Sequence, residues 1–252
     1  MKARILLMAC SILAAVSTAR AGVYSDFERE IKQGIIKPFA LDIGGLVGAT
    51  GFAPAIPLGT FHPSVRVVAA IQTKPDKDNL VLRNSGITTF GIPVVEAAIG
   101  LPFNLDVVAH GFRVQNLSIV GGGLRWCVFK AGLATKAIPN IGVSAFGDRI
   151  DFSAFSASHL GLNAMATWDL PFIAPYIGAG YDATNLKVKT AVVDSGASTW
   201  ITNTTVQGLS ETATGSRFIV GTQLKLVFLT LDGGALLLHG NQGYFASAGL
   251  RF

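Results

Sequence analysis

Residues 241–252 read NQGYFASAGLRF, and an alternation of period two organises them. Tyr244, Ala246, Ala248, Leu250 and Phe252 share one parity; Phe245, Ser247, Gly249 and Arg251 share the other. Alternate side chains of a strand point to opposite faces. The segment therefore predicts a strand with one wholly apolar face, aromatic at both ends, and one mixed face. Water is a poor solvent for the first face, and hydrocarbon is a good one.

The same alternation recurs upstream from Pro63. PSVRVVAAIQ sets Val65, Val67, Ala69 and Ile71 against Arg66, Val68, Ala70 and Gln72. IPVVEAAIGL sets Val95, Ala97, Ile99 and Leu101 against Val94, Glu96, Ala98 and Gly100. LDVVAHGF puts Asp106 and His110 on one face, and SIVGGGLRWCV opposes Leu124, Trp126 and Val128 to Gly121, Gly123 and Arg125. NIGVSAFG is a weaker strand, whereas SHLGLNAMATWD alternates cleanly, with His159 opposite Leu160 and Leu162. IAPYIGAGYD turns Ile177, Ala179 and Tyr181 outward. RFIVGTQLKLV opposes Phe218, Val220, Leu224 and Leu226 to Arg217, Gly221, Gln223 and Lys225, and LTLDGGALLL is ambiguous. With residues 241–252 this makes about ten strands, each near the nine to eleven residues that a tilted transmembrane strand needs.

Composition agrees with a membrane solvent. Half of the 252 residues are hydrophobic and only 14% are charged, against about 25% in soluble domains. Residues 1–21 have the form of a secretory signal peptide: basic Lys2 and Arg4, a short apolar core, and Ala19-Arg20-Ala21 as a cleavage site after Ala21. Its removal lowers the formal charge from +5 to +2, so the basic pI is no argument for nucleic acid. Cys127 is then the one cysteine left, which excludes an internal disulfide. Beyond residue 21 no apolar run reaches the roughly 18 residues of a membrane helix. Only helices and closed barrels satisfy their backbone groups in lipid. The expected fold is thus all-β, a closed antiparallel transmembrane barrel.

Before the barrel, residues 24–37 (YSDFEREIKQGIIK) read as an amphipathic helix ended by Pro38, with Phe27, Ile31 and Ile35 on one face. Residues 39–61 are apolar and rich in Gly and Pro, and fit neither period; a lumen plug, a lid and an irregular strand all remain open. The domain plan is therefore 1–21 signal peptide, 22–62 helix and Gly-rich plug or cap, and 63–252 barrel. With both ends periplasmic, the turns 102–104, 169–172 and one near Phe228 are short. The external loops are then 73–89, 147–155 and about 184–216. A short external turn near Asn116 and a long periplasmic connection at 130–139 run against this pattern, which leaves an eight-stranded barrel as an alternative.

The alternating strands, the signal peptide and the tail YFASAGLRF together resemble Gram-negative outer-membrane β-barrel proteins. The layout is closer to poorly characterised barrel families with an N-terminal helix than to any named porin. The resemblance implies a bacterial outer-membrane location. It also implies that Tyr244, Ala246, Ala248, Leu250 and Phe252 form the signal read by the barrel-assembly machinery, with outer-membrane lipid as the other partner.

No catalytic set emerges. Ser158 and His159 are adjacent and point to opposite faces, and Asp106 and His110 lie roughly 13 Å apart along a strand, beyond hydrogen-bond reach of about 3 Å. An Asp and a His bridging strands would resemble the ten-stranded omptin proteases, but no local motif matches them. Metal-ligand spacing and phosphate loops are missing, so no cofactor is expected. The inward set, Arg66, Glu96, Asp106, His110, Arg125, His159, Asp182, Arg217, Lys225 and Arg251, mixes with apolar Val68, Val108 and Met165. Such a lumen suits a small channel, or a binder of hydrophobic or amphipathic molecules, and equally suits internal ion pairs. A structural or adhesive barrel acting through its external loops is the alternative, and the Ser/Thr-rich stretch 195–216 with Trp200 fits it.

Overall fold

A computed structural model describes residues 36–132, 137–189 and 208–252, together with the backbone of 192–193 and 204–205. Ten strands close into one antiparallel barrel: β1 (Pro63–Gln72), β2 (Phe90–Leu101), β3 (Leu105–Val114), β4 (Leu117–Phe129), β5 (Asn140–Asp151), β6 (Phe155–Thr167), β7 (Ile173–Val188), β10 (Ser210–Leu226), β11 (Leu229–Leu238) and β12 (Asn241–Arg251). A two-residue ribbon, β8 (Val192–Val193) and β9 (Thr204–Thr205), lies between β7 and β10. Every barrel strand pairs with its neighbours in sequence along the barrel. Closure is made by β1 on β12, from Ser64 opposite Arg251 to Gln72 opposite Gly243. No sheet edge is left open, which removes the eight-stranded alternative.

Gln72 marks the upper end of the barrel and Phe252 the lower. At the upper end, Gln115 (φ 48°) with Asn116, and His239 (φ 50°) with Gly240 (φ 91°), make two-residue hairpin turns. The short turn at Asn116 and the long connection after Phe129 both join genuine neighbouring strands, so no strand is misplaced. Strand extends into two expected loops. β5 runs to Asp151 and β6 starts at Phe155, leaving 152–154 as the connection, and β7 and β10 extend to Val188 and Ser210. Polar outward residues such as Arg149, Asn185, Thr212 and Thr214 disguised these upper strand ends as loops.

The segment 36–50 corrects the reading of Pro38. It forms helix α1 (Ile36–Thr50), with Pro38 in the first turn rather than beyond the end. Proline is tolerated there because its missing N–H has no intrahelical partner anyway. The helix stands inside the barrel, nearest to β7 and β10, and twelve of its fifteen residues are buried. A helix buried all round shows no amphipathic period, so 39–50 looked irregular in sequence. The residues read as an amphipathic helix at 24–35, and the stretch around Trp200, lie outside the described residues.

The upper half of the interior is an apolar core. Ile36, Phe39, Ile43, Leu46 and Val47 of α1 join wall residues including Ile92, Ile119, Ile150, Phe155, Leu186 and Leu238. Phe39 meets Phe155 edge-on, with centroids 5.4 Å apart. A short helix, α2 (Leu80–Asn84), covers this core from the 73–89 loop with Val81 and Leu82. Below α1 the chain crosses to the wall, where Phe61 N–H donates to Gly100 O (2.7 Å) and Gly100 N–H to His62 O (3.0 Å). A side chain on Gly100 would strike the Gly59 backbone, so this crossing needs glycine.

Candidate functional site in the barrel interior

Register explains which of the residues expected to face inward meet one another. One ladder row runs Arg66, Glu96, His110, Gly121, Asp148, His159, Thr184 from β1 to β7. A second runs Asp106, Arg125, Ser144, Asn163, Gly180, Arg217 from β3 to β10. Polar groups thus gather in two bands below the apolar core.

Glu96 is the hub of the first group. It accepts from Arg66 Nε and Nη2, both at 2.8 Å, and from Arg125 Nη2 at 3.0 Å. Arg66 Nη2 also donates to the carbonyls of Thr50 (3.2 Å) and Phe52 (3.0 Å). That places a cation at the C-terminal end of α1, where the helix dipole is negative. Asp106 does not reach His110. Its Oδ1 accepts from Leu58 N–H at 3.2 Å, fastening the descending segment.

The second group holds the flank of α1. Arg217, fully buried, pairs through Nε with Asp182, and its Nη2 donates to Asn163 Oδ1 at 3.2 Å. Its guanidinium lies 5.1 Å from the Phe52 ring centroid and against Gly48 of α1. His239 joins the same carboxylate, Nε2 to Asp182 Oδ1 at 3.0 Å, while Nδ1 lies 3.0 Å from Leu41 O. His159 Nδ1 meets Thr184 Oγ1 at 3.0 Å, and Ser158 points out of the barrel.

His110 pairs with Asp148 instead, across the inward-facing Gly121, and stacks on Phe146 with centroids 5.7 Å apart. Lys225 lies at the lower rim and binds Asp169. Arg251 faces a small lower chamber with Arg66, Asp106 and Arg125. Sequence reasoning missed Asp148, Asp232 and His239. Asp148 fell in a supposed loop, Asp232 in the ambiguous strand, and His239 in a turn. Asp232 accepts from Gln223 Nε2 (3.0 Å) and Ser247 Oγ (2.8 Å).

At the upper mouth Asp42 ties α1 to the 73–89 loop. It accepts from Gln72 Nε2 (2.7 Å), Asp76 N–H (2.9 Å) and Asn79 Nδ2 (2.6 Å). Burial pushes its carboxyl up to about 6, against the lowering effect of those hydrogen bonds. Beneath α1, two chambers of about 30 and 20 Å³ share Ala53, Pro54, Ile56, Asp106 and Arg125. A water needs roughly 10–15 Å³ of such space, so each holds one or two. Among the described residues, no cluster of His, Cys, Asp and Glu suited to a metal occurs.

The outer surface has its own order. The outward-facing charges on the barrel strands are Arg113, Arg149, Asp151 and Lys187, all at the upper end. Below them the outward residues are aliphatic, small or aromatic, from Val65 on β1 round to Leu250 on β12, with Thr222 as a polar exception. Phe61, Phe103, Trp126, Phe172, Phe228 and Phe252 are exposed toward the lower rim.

No protein-family model matches the chain, and no curated protein matches it. Solved structures with some likeness are outer-membrane proteins. Neisserial surface protein A is 16% identical over 76% of this chain and 95% of its own, with a TM-score of 0.29. BamA from Haemophilus ducreyi lacking POTRA domains 1–3 is 11% identical over 76% of this chain and 41% of its own, with a TM-score of 0.38. A loop-deleted OmpT, an outer membrane protein of Vibrio cholerae, is 12% identical over 64% of this chain and 59% of its own, with a TM-score of 0.26. The fold rests on the strand pairing described above, not on these superpositions.

Proposed function

We propose that this chain is a bacterial outer-membrane β-barrel, its upper end external, held closed at rest by α1, and that it binds or passes small molecules when α1 moves. The observation that carries the membrane reading is the outer wall: an apolar belt, aromatic at the lower rim, with every outward strand charge at one end. Lipid accepts such a wall and water does not. Residues 244–252 are then the segment offered to the barrel-assembly machinery.

The interior supports a closed resting form. Ile36, Phe39, Ile43, Leu46 and Val47 are all buried, and at about 2 kcal/mol per side chain their exposure would oppose release by on the order of 10 kcal/mol. Spontaneous loss of the plug is therefore negligible, and opening needs a partner or ligand to drive it. The polar bands beneath the helix favour passage or binding of a charged or amphipathic solute. The depth of the apolar seal favours a second reading, a structural or adhesive surface barrel acting through its external loops.

Planar-bilayer recording separates the two. The full chain should be silent, and a chain lacking residues 36–58, shown by circular dichroism to keep its sheet, should conduct. Silence of both supports the surface barrel, and steady conductance of the full chain refutes the plug.

A further inference from the structure

The outer wall is not uniformly convex. On the face formed by β3–β7 and β10 it carries an almost wholly apolar depression of about 670 Å³. Ala145, Ala164 and Ala179 are its small side chains, among the larger Leu124, Trp126, Leu162, Tyr181 and Phe218. Register aligns the floor across strands, since Val143 faces Ala164 and Ala164 faces Ala179. The bulky residues stand on the same strands or their neighbours, so the hollow follows from sequence: three alanines ringed by Leu124, Trp126, Leu162, Tyr181 and Phe218.

Directly above, on the same strands, sit the outward charges of the barrel. Arg113 on β3, Arg149 on β5 and Lys187 on β7 are exposed and lie in the two uppermost outward-facing ladder rows. Lys189, just past β7, and Arg149 share one carboxylate, Asp151, at 3.2 and 2.7 Å. Arg113 and Lys187 have no acidic partner among the described residues. Four cations thus face one anion, above an apolar hollow. From Arg149 down to Val143 is six residues, about 20 Å along a strand, a length that an acyl chain spans.

We propose that this face is a binding site for one membrane lipid with a phosphorylated, anionic head group. Its acyl chain lies in the depression over Ala145, Ala164 and Ala179, and its phosphate lies between Arg149 on β5 and Lys187 on β7, about 10 Å apart in strand spacing, with Arg113 on β3 adding to the positive field. The proposal rests on the membrane reading above. Neither half of the site suffices alone: any lipid chain covers an apolar wall, and any basic patch attracts anions weakly. Their vertical alignment on one face selects an amphiphile that is anionic at the upper end.

The test uses the full chain with Trp168→Phe and Trp200→Phe, so that Trp126 at the depression is the reporter. It is folded into phosphatidylcholine vesicles containing a small fraction of phosphatidic acid with dibrominated acyl chains. Bromine quenching of Trp126 should exceed that from the same fraction of dibrominated phosphatidylcholine by on the order of ten-fold in effective affinity. Arg113→Gln, Arg149→Gln and Lys187→Gln together should abolish the preference, and Ala164→Phe should reduce quenching by filling the floor. Equal quenching by the two lipids in the parent overturns the site, as does a preference that survives the triple substitution. No quenching even in vesicles made wholly of dibrominated phosphatidylcholine overturns the membrane reading as well, which keeps the two failures distinct.

Discussion

Arg66 and Glu96 stand opposite one another in the β1–β2 register and meet through two parallel 2.8 Å hydrogen bonds. Glu96 is buried and Arg66 largely so, and Arg66 also holds the carbonyls of Thr50, the last residue of α1, and of Phe52 just beyond it. This guanidinium is one of the groups that join wall and plug, with Gln72 on Asp42 and His239 on Leu41. Removing the carboxylate charge leaves Arg66 and Arg125 without the one acidic group to which both donate. Glu96→Gln should lower stability by about 3–5 kcal/mol, the usual result of breaking a buried ion pair from one side. Urea unfolding of detergent-folded protein, followed by tryptophan fluorescence, measures it. A loss under about 1 kcal/mol would show that water already screens the pair.

His110 and Asp148 allow a sharper experiment, because they form an isolated couple over Gly121. Either His110→Leu or Asp148→Leu leaves a buried polar group without its partner, and each should be strongly destabilising. The double substitution removes both groups and should recover much of the loss. A double-mutant cycle reads this as a coupling of at least about 1–3 kcal/mol. Additive losses would mean that the close approach contributes nothing.

The barrel was legible because its solvent reverses only one of the two faces. Period two survives in every strand, so Val65, Leu124, Leu162 and Leu250 could be placed outward from sequence parity alone. Strand ends were harder: Arg149 and Thr212 are polar and outward, which in sequence looks like loop. The lumen was half legible. Parity placed Arg66, Glu96 and Arg217 inside, but only register shows that Glu96 serves two arginines or that His110 meets Asp148 rather than Asp106. The plug hid for a different reason. Gly44, Gly45 and Gly48 are poor helix formers, and their use appears only when Thr184, His239 and Arg217 are seen packed against them.

Gly48 gives the third prediction. A methyl group there would lie 2.6 and 2.7 Å from the two terminal nitrogens of Arg217. Gly48→Ala gains helix propensity of up to about 1 kcal/mol, and overpacking of this kind opposes it by about 1–3 kcal/mol. The expected outcome is a net loss, with brief conductance bursts as α1 loosens. Arg217→Lys, whose slimmer head can move aside, should relieve the clash when combined with Gly48→Ala. A Gly48→Ala protein more stable than the parent would mean that the helix sits free of the wall.

Asp42 sets the behaviour of the upper mouth with pH. Its carboxyl titrates at about 6 in the folded chain, above the ordinary 3.8, because burial disfavours the charge more than its hydrogen bonds support it. Between those values the folded state holds a proton that the unfolded chain has released. Stability must then fall as pH rises through this window, and change no further above it on this account. The contact between α1 and the 73–89 loop is accordingly firmest in mild acid. Asp42→Asn cannot titrate, so its urea midpoint should lose the component of pH dependence between about 4 and 6 that the parent shows. The other acidic and basic groups titrate alike in both proteins, and the difference between the two curves isolates Asp42. Parallel curves across the window would mean that water reaches the carboxylate and that its three donors carry the full charge without penalty.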